Sequence, residues 1–210
     1  MSETSFDINA FMKDSKEVLL NPKSYFSTMK TSGGLGEPVI KALIYGAVAG
    51  IIYFIWGLLH IGTLGMFGGA FGVVALIYTL IGAIIGLFIG AVITLVLSAI
   101  SKGSTDFEAC ARVTAAVMVF MPVTALLSFL TIISPIVGSI ISLLVNIYAV
   151  YLLYHGLVEA LKANPATAKI VMYVLIILLV LAMLAGMGAR KRVSRMNSDL
   201  KELMENVQKN

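Results

Sequence analysis

The sequence predicts an all-α polytopic membrane helix bundle of about five transmembrane helices, preceded by an N-terminal amphipathic helix. Two observations carry this. The 210 residues are 59% hydrophobic and only 12% charged, against about 25% charged in a soluble domain. Between Lys41 and Lys102 there is no Asp, Glu, Lys or Arg. A bilayer core about 30 Å thick asks for roughly 20 apolar residues per helix, so this run alone holds at least two spans.

The elements follow in chain order. Residues 1–38 form a polar head, in which "DINAFMKDSKEVLL" puts Ile8, Phe11, Met12, Ser15 and Leu19 on one helical face, the spacing of an amphipathic helix. It ends at Asn21-Pro22, because the residue before proline is steered out of the helical region. "KSYFSTMK" offers a second short helix with Tyr25, Phe26 and Met29, and "TSGGLGEP" reads as a flexible joint with Pro38 in the first turn of the next helix. Residues 39–188 hold the bundle, with span 1 at about 39–60, span 2 at about 72–99 and span 3 at about 110–130. Span 4 lies at about 135–158 and span 5 at about 167–188. The glycine-crowded "GTLGMFGGAFG" is a membrane-level loop or a downward extension of span 2. Pro122 should kink span 3, and Ser134-Pro135 leaves spans 3 and 4 so short a turn that they form a hairpin. Residues 189–210 are a basic amphipathic tail that continues span 5 as a helix or restarts at Ser198.

Orientation follows the Lys and Arg near the spans. The head carries Lys13, Lys16, Lys23, Lys30 and Lys41, the 2–3 loop Lys102 and Arg112, and the 4–5 loop Lys162 and Lys169; the 1–2 and 3–4 loops carry none. A cytoplasmic head follows. The head has no apolar signal-peptide core, so the first span is expected to act as its own insertion signal. Five spans place the tail outside in spite of Arg190, Lys191, Arg192 and Arg195, because the first helix usually dominates. Cys110 is the single cysteine and there are two histidines, so no intrachain disulfide and no metal site are expected.

Three spans carry small residues at every fourth position: Gly82, Gly86 and Gly90, continued by Thr94 and Ser98; Gly46 and Gly50, with Gly57; and Gly138, Ser142 and Asn146. Lipid tails are as apolar as leucine, so helices associate through close contact that small residues permit. The expectation is packing within one bundle, with a homodimer or partner seam on span 2 as the alternative. Gly86→Leu should then force two helices apart.

Polar groups at membrane depth are candidates for function. Span 1 aligns Tyr45, Tyr53, Trp56 and His60, read as interface anchors at the helix end. Span 4 aligns Tyr148, Tyr151, His155 and Glu159 along a candidate polar face. Arg112 reads as a snorkelling anchor paired with Glu159, and Asn146 as a bond to a neighbouring helix. No serine–histidine pairing, carboxylate dyad or phosphate loop is present, so no catalytic, cofactor-binding or metal residues are assigned and the chain reads as a non-enzyme.

"NPKSYFSTM", "EPVIKALIYGAVAGIIY", "GSTDFEACARVTAAVMVFMP" and "IYAVYLLYHGLVEALKANPATAKIVMYVL" resemble prokaryotic members of the Yip family (Ypt/Rab-interacting proteins). The resemblance runs over roughly residues 20–187 and implies five spans, with Asn21, Pro22, Tyr25, Phe26 and Pro122 as family positions. The acidic-aromatic-Gly-Pro motif of eukaryotic members is missing ahead of span 1. Val119-Phe120-Met121 stands where a Tyr-Ser pair often precedes the span 3 proline. Rab-type GTPase binding is therefore not implied. What is implied is a membrane-organising, trafficking or scaffold protein, acting through helix packing and a membrane-surface head in the plasma membrane of a bacterium or archaeon. Its partners would be the lipid bilayer and a second copy or another membrane protein, with no nucleic acid. A small-solute or ion transporter or channel is the alternative.

Overall fold

A computed structural model of the chain describes residues 8–59 and 69–208, and of 69–72, 75, 132 and 187–208 the backbone alone. His60 and the glycine-rich segment up to residue 68 lie outside the described residues. All regular structure among the described residues is helical: α1 Ile8–Leu20, α2 Pro22–Thr28, α3 Gly36–Leu58, α4 Gly69–Ile100, α5 Phe107–Val117, α6 Phe120–Leu127, α7 Leu130–Ile133, α8 Pro135–His155 and α9 Pro165–Gln208. Five stretches are long and apolar enough to cross a membrane: Gly36–Leu58, Leu76–Ile100, Phe107–Leu127, Pro135–Ala160 and Pro165–Gly186. The segment 69–72 is helical and extends span 2, and α9 runs on unbroken past span 5 to Gln208.

Span 3 is the central post. Of its most apolar stretch 61% is buried, against 6% for span 5, which stands at the periphery. Span 3 is broken where proline requires it. Pro122 has no N–H to offer the Met118 carbonyl, and Met121 N–H takes that carbonyl instead at 2.9 Å. The helix therefore stops at Val117 and resumes at Phe120. Ser134 caps α8 by accepting from Val137 N–H at 3.4 Å, with Pro135 in the first turn. This closes the expected hairpin, and Gly138 is there because a Cβ would run into Thr131.

The small residues sort differently from expectation. Gly46 and Gly50 do form a seam, against span 2: a Cβ on Gly46 would lie 2.6 Å from Ala83 Cβ, and one on Gly50 would meet Thr79 Oγ1 and come within 3.2 Å of Leu76 Cα. Gly82 and Gly86 are exposed, and among the described residues nothing lies within 4 Å of an added Cβ. The buried side of span 2 is offset by one residue, through Ala83, Leu87, Ala91, Thr94 and Ser98. Gly90 sits at its edge, leaving room for the Thr114 methyl, which would be 2.7 Å from a Cβ. Among the described residues the ribbon at Gly82 and Gly86 thus meets no other helix, and span 1 brings its own glycines to its crossing with span 2.

The two charge-bearing loops close against each other. Ser104 N–H donates to Leu161 O and Asn164 N–H to Ser101 O, both at 2.7 Å. The Asn164 side chain accepts from Ala166 and Thr167 N–H at 3.0 and 3.2 Å and caps α9. Span 4 ends in a π-helical turn, Gly156–Ala160, with Leu161 N–H reaching Gly156 O at 3.1 Å. Here Gly156 lets Val113 of span 3 and Phe26 of α2 approach the backbone.

Gly50→Leu should lower stability by about 1–3 kcal/mol, the usual cost of overfilling a packed contact. Gly86→Leu should melt like the parent protein in detergent. Thermal unfolding of the two variants side by side checks both.

Candidate functional site

Two short sequence patterns build the site. Glu37 and Lys41 stand four residues apart in the opening turns of span 1, and Glu108 and Arg112 stand likewise in span 3. Residues at that spacing share a helix face, and both pairs close: Lys41 Nζ lies 3.0 Å from Glu37 Oε1, and Arg112 Nε lies 3.0 Å from Glu108 Oε1. Spans 1 and 3 then meet through Arg112 Nη1 and Glu37 Oε2 at 2.6 Å. Arg112 is 5% exposed at its side chain and Glu37 is 48% exposed, so the guanidinium is buried while its partner still touches water.

The same arginine fixes the joint ahead of span 1. Its Nη2 donates to Gly34 O at 2.9 Å, and Gly34 N–H donates to Glu108 Oε1 at 2.6 Å. Gly33 and Gly34 hold φ of +130° and +91°, a region that side chains rarely adopt. A Cβ on Gly33 would also come within 3.0 Å of Arg112 Nη2. The expected flexible joint is therefore a clasp, pinned at both its N–H and its carbonyl.

Lys41 carries the network to the head. Its Nζ donates to Asp14 of α1 at 3.2 Å and to the Tyr25 hydroxyl of α2 at 3.3 Å. Burial holds the Tyr25 hydroxyl above its ordinary pKa, with the Lys41 ammonium pulling the other way. Phe11, Val18 and Phe26 are buried in the same cluster as Tyr25, Tyr45 and Val113. Ser15 Oγ and Tyr45 Oη share a 2.8 Å hydrogen bond. Thr94 and Thr114 pair at 3.0 Å below the network; since Thr114 already donates to Cys110 O, Thr94 is the donor.

The residues singled out from sequence disperse over this end of the molecule and the other. Tyr25 and Phe26 lie in the buried cluster, Pro22 opens α2, and Asn21 precedes it without a side-chain cap. Pro122 marks the break in span 3. Tyr148, Tyr151 and His155 form an aromatic column, with ring centroids 5.7 and 4.7 Å apart, and the Tyr148 hydroxyl donates to Leu19 O of the head. Glu159 falls past that column in the π turn.

Two expectations need correction. Arg112 pairs with Glu37 and Glu108, not Glu159, because the neighbouring span and its own preceding turn supply the carboxylates. Asn146 Nδ2 donates to Ser142 O of its own helix at 2.7 Å, not to a neighbour. Trp56, near the end of span 1, donates its Nε1–H to Ala125 O of span 3 at 3.0 Å. Sequence reading missed Asp14, Glu37 and Glu108. The four-residue spacings of Glu37–Lys41 and Glu108–Arg112 were the signal for two of them, and nothing local announced Asp14.

Chemically the site is a salt-bridge cluster in which two cations, Lys41 and Arg112, are held by three carboxylates, Asp14, Glu37 and Glu108. A cleft of about 320 Å³ opens beside it, walled by Asp14, Glu17 and Glu37 and by Lys30, Lys41 and Arg112. Among the described residues no group of three or more His, Cys, Asp or Glu is placed to hold a metal ion. A second groove of about 310 Å³ lies between spans 4 and 5, lined by Gly138, Ser142, Asn146, Leu179, Met183 and Gly186. A family model, the Yip1 domain, matches residues 16–187 of the chain. That range takes in Glu37, Lys41, Glu108 and Arg112 and ends with span 5. No curated protein and no solved structure matches the chain.

Arg112→Met should cost about 3 kcal/mol, the low end for breaking a buried pair, because Glu37 is partly solvated. Arg112→Lys keeps the charge but loses the planar fork that serves several acceptors at once, and should fall between the two. Thermal unfolding in detergent gives the order.

Proposed function

The chain belongs to the Yip1 domain family, and we propose that it is a non-enzymatic membrane-organising or trafficking scaffold, with the transporter reading set aside. The observation that carries this is how the polar groups are used. The buried charged side chains at the head end, Lys41 and Arg112, are engaged by other groups of this chain. Thr94 and Thr114 engage each other, and Ser98 donates to Ser104 O at 2.6 Å. A transport path needs polar groups held for a solute through the bilayer, whereas these are engaged within the chain: the charges fix the head on the bundle, the threonines join spans 2 and 3, and Ser98 holds the loop after span 2.

The head is read as lying on the cytoplasmic side of the plasma membrane of a bacterium or archaeon. Support comes from the head, the 2–3 loop and the 4–5 loop sharing one end of the bundle, which gathers Lys13, Lys16, Lys23, Lys30, Lys102, Lys162 and Lys169 there. The bilayer is the partner the spans require. A second copy or another membrane protein is the proposed occupant of the outward Gly82–Gly86 side of span 2.

Purified protein reconstituted into sealed vesicles should leave the leak of protons, monovalent ions and small neutral solutes at the level of protein-free vesicles. A saturable flux above that level would overturn the scaffold reading in favour of a transporter.

A further inference from the structure

The head helix α1 has three distinct sides, and we propose that the third lies in lipid: the Ile8–Met12 flank enters the bilayer at the boundary between headgroups and acyl chains, while the helix stays clamped to the bundle. The inference deepens the scaffold reading above by naming what the docked head touches.

The first side faces protein. Phe11 and Val18 are 7% and 1% exposed, Ser15 bonds Tyr45 at 2.8 Å and Asp14 reaches Lys41 at 3.2 Å. The second side faces water: Lys13 and Lys16 are exposed, and Glu17 lines the polar cleft with Asp14 and Lys30. Each residue turns a helix by about 100°, which puts Ile8, Met12 and Leu19 about a quarter turn from Phe11 and Val18 and on the opposite flank from Glu17. Ile8 and Met12 are 65% and 64% exposed, whereas Leu19, at the end of the helix, is half-buried and packs against the core cluster. The single apolar face expected of this helix is therefore divided, one half spent on the bundle and the other left outward.

What covers the outward half follows from where the helix ends. Leu19 O accepts from the Tyr148 hydroxyl. Tyr148, Tyr151 and Leu144 are exposed along span 4, within a 26-residue apolar stretch built to cross a membrane. The C-terminal end of α1 thus lies against the exposed side of span 4, and the Ile8–Met12 flank extends from that end. At 13 residues α1 is about 20 Å long, too short to cross the bilayer, and Lys16 borders the flank as a basic residue does beside lipid phosphates. Lys13 and Lys16 are balanced by Asp14 and Glu17, so seating rests on apolar burial and should be indifferent to anionic lipid.

The test places single tryptophans at Met12→Trp and at Glu17→Trp in the full chain carrying Trp56→Phe, reconstituted in phosphatidylcholine vesicles with and without phosphatidylglycerol. Lipids brominated near the glycerol end of the chain should quench the Met12→Trp reporter by about half, at the depth of roughly 5–10 Å where interfacial helices lie. Aqueous acrylamide, a neutral quencher, should instead quench Glu17→Trp, with no change on adding phosphatidylglycerol. Acrylamide quenching of Met12→Trp equal to that of Glu17→Trp would overturn the proposal. So would protection from both quenchers, which means that protein covers the flank. If Trp56→Phe unfolds the chain, nitroxides at Met12→Cys and Glu17→Cys in a Cys110→Ala background give the same reading. The oxygen-to-nickel-chelate collision ratio should then be severalfold higher at position 12. Solute flux is not read here, so this result and the scaffold reading fail separately.

Discussion

A guanidinium withdrawn from water must find its partners inside the protein, and the head end of this molecule is arranged around that requirement. Arg112 is 5% exposed and sits in the first apolar turns of the central span, where an unpaired charge would cost several kcal/mol. Its partners come from different parts of the chain: Glu108 from its own helix, Glu37 from span 1 and the Gly34 carbonyl from the joint between head and bundle. Glu37 is shared with Lys41, which in turn holds Asp14 and Tyr25 of the head. Satisfying the charges at Arg112 and Lys41 therefore ties α1, α2, the joint, span 1 and span 3 into one body.

The packing beneath the network allows these elements to come close enough. Gly46 and Gly50 let span 1 settle on span 2, Gly90 admits Thr114, and Gly156 admits Val113 and Phe26. The π turn at Gly156–Ala160 then delivers the chain into a loop hydrogen-bonded to the one after span 2. Away from this end the helices are less enclosed: span 3 is interrupted near Pro122 and again after Leu127, and span 5 contributes little buried surface. One end is knit by charge and close contact, and the other is held by a hairpin and the Trp56–Ala125 bond.

Periodicity and charge counts suffice for whatever depends on neighbours in sequence. The five spans, the short helix carrying Tyr25 and Phe26, the break near Pro122 and the hairpin at Ser134-Pro135 are all local consequences of apolar length and of proline chemistry. Which glycines touch a neighbour is not local. Gly46 and Gly82 stand in equally smooth stripes, yet among the described residues only the first meets another helix, because the rotation of each span is set by the whole set of contacts. Arg112 shows the same limit. Its bond to Glu108 is legible at four residues, whereas the bond to Glu37, 75 residues away, depends on how spans 1 and 3 pack. The head helix was legible as amphipathic, but the division of its apolar face between bundle and surroundings required the position of Tyr45 and Val113.

Glu37 is the carboxylate that both cations share, so hydrogen exchange of the Glu37→Gln variant, in detergent or nanodiscs, examines the network directly. If the shared charge organises the head end, amide exchange should rise together in α1, in the joint at 32–35 and in the first turns of α5. The expected rise is about tenfold or more, equivalent to about 1.4 kcal/mol of lost protection. A rise confined to the first turn of span 1, with α1 and α5 exchanging as in the parent, would contradict the account.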